Sequence, residues 1–138
     1  MHSKKNVIVV DCGTATTLTA LSGAGVLLGG AILPGLSLWP EMLAGRTAQL
    51  PLVKLRRPSA ALGRSTGEGI QSGVFYGHVG AIRELVAHLR QEAFGRAACV
   101  IIGTGGHAAL LAGESLFEHV EPALVLHGLR CFAAATRP

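Results

Sequence analysis

The feature that constrains this fold most is a stretch without a charged residue, which runs from residue 12 to residue 40. Its length would suffice for a membrane-spanning helix, because about 20 apolar residues cross a bilayer. However, glycines and Pro34 interrupt the stretch, and four threonines lie near its start. Such residues separate short strands better than they fill a helix exposed to lipid. We therefore expect consecutive β-strands here, and a cytoplasmic protein that has no membrane partner.

The composition fits one folded domain. The chain has 138 residues, the size of a single domain. Charged residues make up only 14% of it, against a usual share of about 25%, so disorder is excluded as a description of the whole chain. The three cysteines form no Cys-x-x-Cys pair, which argues against a disulfide framework, a zinc ribbon or a thioredoxin motif.

Hydrophobic patterning predicts alternating strands and helices. A β-branched run at the N-terminus and a threonine-rich run after it are typical of strands, and Gly23 to Gly25 forms a hairpin turn before a third strand. The spacing further along indicates helices on either side of one more buried strand. The expected strands cover 6–11, 15–22, 26–33 and 98–102, and the expected helices cover 36–50, 66–93 and 122–135. This order is that of an α/β domain.

The long helix carries an unusual row of glycines. Gly69, Gly73 and Gly77 recur every four residues, so they lie on one face of the helix. Each costs helix stability of roughly 1 kcal/mol relative to alanine. Close approach of another element, such as the same helix of a second subunit, would explain the pattern, and a broken helix is the alternative. Thr66 is the expected N-terminal cap.

Two glycine turns after strands are candidate phosphate sites. Asp11 to Thr14 follows the first strand, where a carboxylate can hold a cation and Gly13 allows close approach of a phosphate. An ordinary turn with strand threonines is nearly as good an interpretation of that segment alone. The run from Gly103 to Gly106 follows the later strand and suits a nucleotide. A dinucleotide site is disfavoured, since too little chain follows this run for the second half of such a fold.

Other chemistries find little support in the sequence. No Gly-Lys pair is present, so a Walker A loop is excluded. We expect His78 and His88 on a helix surface, and His107 is a weak candidate for a phosphate contact. The basic cluster from Lys54 to Arg64 suggests a solvated loop or a counter-charge for an anion. The sequence argues against a nucleic-acid partner, because one Trp and one Tyr leave few rings for stacking.

Five segments in register resemble the C-terminal half of type III pantothenate kinases, in the acetate and sugar kinase/Hsp70/actin superfamily. The segments are VIVVDCGTATTLTAL, GGAILPGLSL, RTAQLP, GRSTGEGIQSGVFYGHVG and IIGTGGHAALL. The same pattern resembles the related Bvg accessory factors. The resemblance implies a single RNase H-like (actin-like ATPase) α/β domain with a mixed sheet flanked by helices.

The resemblance also implies a reaction and a set of site residues. ATP, with Mg²⁺, would phosphorylate pantothenate to 4'-phosphopantothenate, the first step of coenzyme A biosynthesis, with a monovalent cation (K⁺ or NH₄⁺) bound. A homodimer would form through the helix of Gly69, Gly73 and Gly77. The implied roles are a cation ligand at Asp11, ATP contacts at Gly13, Thr14, Gly105 and Gly106, and a pantothenate contact at Thr66.

The chain departs from the family pattern at its start. An Asp-x-Gly-Asn phosphate loop and a Gly-x-Asp-Arg segment with the catalytic base are expected upstream, and neither precedes Asp11. We therefore expect residues 1–138 to be a C-terminal domain without its N-terminal nucleotide-binding domain, and we assign no catalytic residue within them. The chain is then either an incomplete or split kinase, with a separate N-terminal half as partner, or a non-catalytic regulatory or dimerisation module.

Overall fold

The computed structural model describes residues 5–136, which form a five-stranded sheet and four α-helices. A 3₁₀ turn over Ala112–Glu114 follows the third helix. The strands are β1 (Asn6–Cys12), β2 (Ala15–Leu21), β3 (Leu27–Pro34), β4 (Cys99–Thr104) and β5 (His119–Val120). The helices are α1 (Leu38–Arg46), α2 (Thr66–Phe94), α3 (Ala108–Leu111) and α4 (Leu124–Ala135).

The sheet is mixed, with the strand order β3-β2-β1-β4-β5. The first three strands pair antiparallel, as expected of strands joined by short turns. β4 pairs parallel with β1 and with β5, and the long crossover from β3 to β4 contains α1 and α2. This confirms the α/β fold with a mixed sheet and flanking helices. Because β1 and β4 are parallel, their C-terminal ends lie side by side.

The uncharged stretch forms β2, β3 and the start of α1. The hairpin between the two strands turns at Gly25, whose φ of 81° favours glycine, and the Gly25 amide donates to the Ser22 carbonyl at 2.8 Å. Within residues 5–136, no helix is both long and apolar enough to cross a membrane.

The core lies between the sheet and α2. Alternate residues of β1, namely Ile8, Val10 and Cys12, are buried, as the two-residue period of a strand requires. On α2, Val74 and Ile82 are among the buried residues that cover this face. The other apolar core residues are Leu18, Ala20, Leu36, Ile70, Phe75, Val79, Cys99, Ala108, Leu111 and Leu116.

Several helix ends differ from the expected ones, and α4 begins at Leu124 rather than at residue 122. The first helix covers Leu38–Arg46 rather than 36–50, because Thr47 is extended and its hydroxyl donates to the Leu43 carbonyl at 2.6 Å. The N-terminal cap of α2 is Ser65 and not Thr66: the Ser65 hydroxyl accepts from the Glu68 amide at 3.3 Å. Thr66 is therefore the first residue inside the helix.

Candidate functional site

The two predicted phosphate turns lie next to each other. Asp11 is the pairing partner of Thr104 in the parallel β1–β4 ladder. The turns that follow these residues therefore lie together at the C-terminal ends of the two strands. The backbone connects them as well, since the His107 amide donates to the Cys12 carbonyl at 3.0 Å. Gly105 has a φ of 87°, and a Cβ there would lie 2.7 Å from the Cys12 carbonyl carbon and collide with Asp11 Oδ1. Only glycine fits this contact.

The Asp11 carboxylate stands between these two turns. A Cβ on Gly13 would lie 3.6 Å from Asp11 Oδ1, and Gly105 packs against the same oxygen. None of the ion pairs formed within residues 5–136 includes Asp11, so its negative charge has no cationic side chain beside it. That part of the chain also holds no group of three or more His, Cys, Asp or Glu that could bind a metal ion. A carboxylate without nearby His or Cys ligands suits a hard cation rather than a transition metal.

The turn of Thr14 is exposed and is held in place by β3. The Gly35 amide donates to the Thr14 carbonyl at 3.1 Å, while the side chain of Thr14 lies at the surface. The Gly13 amide donates to the Ala15 carbonyl at 3.2 Å. Gly13 can therefore offer close backbone approach to a phosphate, but its N–H is already engaged within the turn.

Thr66 lies apart from the glycine turns. It is the first residue of α2 and lies twelve residues before His78. His78 contacts Thr16 of the threonine-rich strand, near the glycine turns. At 1.5 Å per residue this separation is about 18 Å along the helix axis. Of the predicted site residues, Asp11, Gly13, Thr14, Gly105 and Gly106 thus share one region, and Thr66 belongs to another.

A cavity of about 190 Å³ lies at this other end of α2, lined by Gln71, Glu68 and the Arg56–Gly63 loop. The predicted basic cluster contributes Arg56 and Arg57 to it. Arg57 forms an ion pair with Glu114 at 2.8 Å, and Arg56 Nε donates to Gln71 Oε1 at 3.2 Å. These arginines are therefore already partnered by side chains of the same chain.

A buried polar cluster lies beside the candidate site. The expectation that His78 sits on a helix surface is wrong: His78 is completely buried, and its Nε2 is 3.1 Å from the hydroxyl of Thr16, which is also completely buried. The Trp39 ring meets the His78 ring edge-on at a centroid distance of 6.4 Å. Within residues 5–136, His78 Nδ1, His107 Nδ1 and Trp39 Nε1 are buried without a hydrogen-bond partner. Thr16 and His107 follow the two glycine turns, so the buried cluster can hold these turns in position.

Burial fixes the protonation states around the site. Burial, with the charge of the neighbouring His107 as a second cause, lowers the pKa of His78 to about 4. His78 is therefore neutral at physiological pH. Burial, with the charge of Asp11 as a second cause, raises the pKa of Cys12 to about 12. The Cys12 thiol is thus protonated and is not a nucleophile, although it lies within the conspicuous turn.

The sequence contained a signal for the burial of His78. Ile70, Val74, His78 and Ile82 recur every four residues, and all of them are buried. An apolar stripe that includes one histidine indicates a buried imidazole. His88, ten residues further along α2, is exposed as expected and contacts Glu84 at 3.1 Å.

The outward side of the glycine row on α2 is uncovered within residues 5–136. No heavy atom lies within 4 Å of where a Cβ would stand on Gly69, Gly73 or Gly77, and all three are exposed. The loop before α2 approaches this helix at Gly69, where a Cβ on Gly63 would lie 2.8 Å from Gly69 Cα, whereas no element of residues 5–136 comes this close at Gly73 or Gly77.

Comparison with known proteins gives consistent results. The sequence profile of type III pantothenate kinase matches residues 1–88. Type III pantothenate kinase from Legionella pneumophila (strain Corby) is 47% identical over 129 residues, which cover 94% of this chain and 50% of that protein. Type III pantothenate kinase 1 from Francisella tularensis subsp. holarctica (strain OSU18) is 46% identical over 130 residues, covering 94% of this chain and 51% of that protein.

The fold has a solved counterpart. A crystal structure described as a conserved Baf family transcriptional activator from Campylobacter jejuni matches with a TM-score of 0.64 and 25% identity, over 91% of this chain and 56% of that one. The chain thus spans about half the length of the relatives that it matches. The profile match covers the strand and turn that hold Asp11 and Thr14, and it shows that the chain belongs to the type III pantothenate kinase family.

Proposed function

We propose that residues 1–138 form the C-terminal half of a kinase that transfers the γ-phosphoryl group of ATP to pantothenate. The products would be ADP and 4'-phosphopantothenate, in the first step of coenzyme A biosynthesis, and we place the reaction in the cytoplasm. The observation that carries this proposal is the meeting of Asp11 and Gly105 at the ends of β1 and β4, in a chain of this family. ATP and pantothenate are the small-molecule partners.

Each residue of the site has a role that suits phosphoryl transfer, which depends mainly on positioning and on stabilisation of charge. Asp11 would hold a monovalent cation, K⁺ or NH₄⁺, through its unpaired carboxylate. The exposed hydroxyl of Thr14 would donate to a phosphate oxygen, and Gly105 and Gly106 would line the adenosine side. Mg²⁺ bound with ATP would neutralise charge on the phosphates.

The catalytic base would come from the other half of the enzyme. As the pantothenate hydroxyl attacks the γ-phosphorus and the bond to the ADP oxygen breaks, the hydroxyl proton must pass to a base. Asp11 is the only aspartate in the chain, and in this proposal it faces the cation. We therefore assign the base to an N-terminal half, and we assign Thr66 to pantothenate.

An assay of ADP release tests this proposal. The chain would be assayed alone and co-expressed with the unmatched N-terminal half of the Legionella relative, with pantothenate, K⁺ and Mg²⁺ present. We expect turnover only from the pair, and we expect Asp11→Asn to lower it by about 100-fold, as removal of one stabilising electrostatic group does. Glu84→Gln, an exposed carboxylate on α2, is the matched control. Robust turnover by the chain alone would contradict the assignment of the base.

We also infer a homodimer through the glycine face of α2. The face is exposed, and nothing within residues 5–136 fills it, so the backbone of a second α2 could approach closely. Gly73→Leu is expected to convert the dimer to monomer in analytical ultracentrifugation, because its side chain would fill the contact. Gly73→Ala should raise the stability of the unpaired helix by about 1 kcal/mol. Arg83→Leu, at an exposed position of α2 outside the glycine row, is the matched control and should leave the dimer intact. A Gly73→Leu protein that is still dimeric would exclude this interface.

A non-catalytic regulatory or dimerisation module is the second candidate function. The observation in its favour is the likeness to the Campylobacter structure described as a Baf family activator. Such a module would dimerise without binding ATP. Calorimetry would measure ATP binding to the chain and to its Thr14→Val variant. ATP binding by the chain that is lost in the variant would count against this candidate and favour the kinase half.

A further inference from the structure

The last helix exposes an apolar face that nothing in the described chain covers. Every residue from Val125 to Thr136 is exposed, and α4 has no buried residue, whereas each of the other three α-helices has at least one. Val125, Leu126, Leu129 and Phe132 are between 60% and 69% exposed. At 100° per residue these four lie within about one third of the helix circumference, with His127 and Arg130 outside that arc.

A helix of this kind needs a partner. α4 has 12 residues, and an isolated helix of that length is marginal in water even with favourable residues. Helices in proteins are stabilised mainly by packing of an apolar face. The N-cap residue Ala123 makes no side-chain hydrogen bond, and Gly128 lies inside the helix, so its N-terminal end and its middle gain little from local interactions. At the C-terminal end the Thr136 hydroxyl donates to the Phe132 carbonyl at 2.9 Å.

We propose that the apolar face of α4 is the surface on which the other half of the kinase docks. This rests on the proposed function, in which that half supplies the base. The relatives are about twice as long as the matched region, so a segment of comparable size accompanies this domain in them. A contiguous apolar surface on one half is what a stable interface between two domains requires.

The position and charge of α4 favour this occupant. Three residues separate β5, the edge strand, from α4, so the helix leaves the sheet at the edge opposite the β3 hairpin. The glycine face of α2, proposed for the homodimer, belongs to a separate element. An interfacial membrane helix usually carries many lysines and arginines on its polar face, and α4 carries Arg130 alone.

Hydrogen exchange tests the proposal on two proteins, the 138-residue chain and a fusion. In the fusion, the unmatched half of the Legionella relative is joined to the N-terminus of the chain. We expect the α4 amides to exchange with little protection in the chain and at least about 100-fold more slowly in the fusion, since docking ties their opening to that of the interface. Leu126→Glu with Leu129→Glu should remove this gain in the fusion. Leu62→Glu, at a residue that is 79% exposed outside α4, is the matched control and should keep it.

Several results would overturn the proposal. Protection of α4 in the monomeric chain would show that the helix packs on its own domain, and protection lost on dilution would point to a second copy. Protection that requires anionic vesicles would indicate a membrane surface. A fusion whose α4 stays unprotected would exclude docking there.

ADP release by the same fusion separates this inference from the proposed function. Turnover with an unprotected α4 would leave the kinase assignment standing and remove the docking surface. A protected α4 without turnover would support docking and count against the kinase.

Discussion

Gly105→Ala is expected to destabilise the chain by about 3 kcal/mol and to lower its melting temperature by about 10 °C. The added methyl group would lie 2.7 Å from the Cys12 carbonyl carbon and 2.8 Å from the Cys12 nitrogen, and backbone atoms cannot move aside as a flexible side chain can. The φ of 87° adds strain, because L-residues rarely adopt it. Strain of this type and overpacking each cost about 1 to 3 kcal/mol. Thermal unfolding followed by circular dichroism measures the effect.

Gly106→Ala is the matched control for this change. No heavy atom lies within 4 Å of a Cβ at Gly106, so alanine there should leave the melting temperature nearly unchanged. If Gly106 lines the adenosine side of the ATP site, the same variant should still weaken ATP binding in calorimetry. Equal stabilities of the Gly105→Ala and Gly106→Ala proteins would show that the two turns are not packed as described.

The strands and the long helix could be predicted from the sequence because their signals are local. A β-branched run, a glycine turn and a threonine-rich run indicate a hairpin without knowledge of the rest of the chain. The expected 15–22 and 26–33 correspond to β2 and β3 within one residue. The helix predicted over 66–93 ends one residue later, at Phe94.

Long-range contacts supplied what the sequence could not. β5 has two residues, and its pairing with β4 depends on contacts between Ile102 and His119 and between Gly103 and Val120. No periodicity can be detected in two residues. The first helix ends before residue 50 because the backbone of Thr47 is extended. The spacing of apolar residues in the sequence does not reveal this change of conformation. Such ends are the least predictable part of an element.

The sequence indicates which residues follow the strands, but it does not show that the two turns meet. Asp11 and Gly105 each follow a strand, but only the parallel register of β1 with β4 brings them together. Taken as a single polar residue, His78 is expected at the surface, and only its place in the apolar stripe of α2 indicates burial. The structure instead places it beneath the turns, bound to Thr16.

The burial of His78 predicts a loss of stability in acid. The native protein binds a proton at this ring only near pH 4, whereas the unfolded chain binds one near the ordinary pKa of 6.5. Between these values the unfolded state carries more protons, so the free energy of unfolding falls as the pH is lowered from 6.5 towards 4. A difference of this size corresponds to about 3 kcal/mol. Urea unfolding at a series of pH values between 7 and 4 measures the loss.

Comparison with His78→Gln isolates the contribution of this ring from that of the carboxyl groups that titrate in the same range. Glutamine can still donate a hydrogen bond to Thr16 but does not titrate, so the variant should lose about 3 kcal/mol less than the wild type between pH 7 and pH 4. His88→Gln, at an exposed position of the same helix, should retain the full acid-induced loss. If the profiles of the wild type and His78→Gln run parallel, the His78 ring takes up its proton equally in both states, and it cannot be the buried neutral imidazole that fixes Thr16 beneath the turn of Asp11.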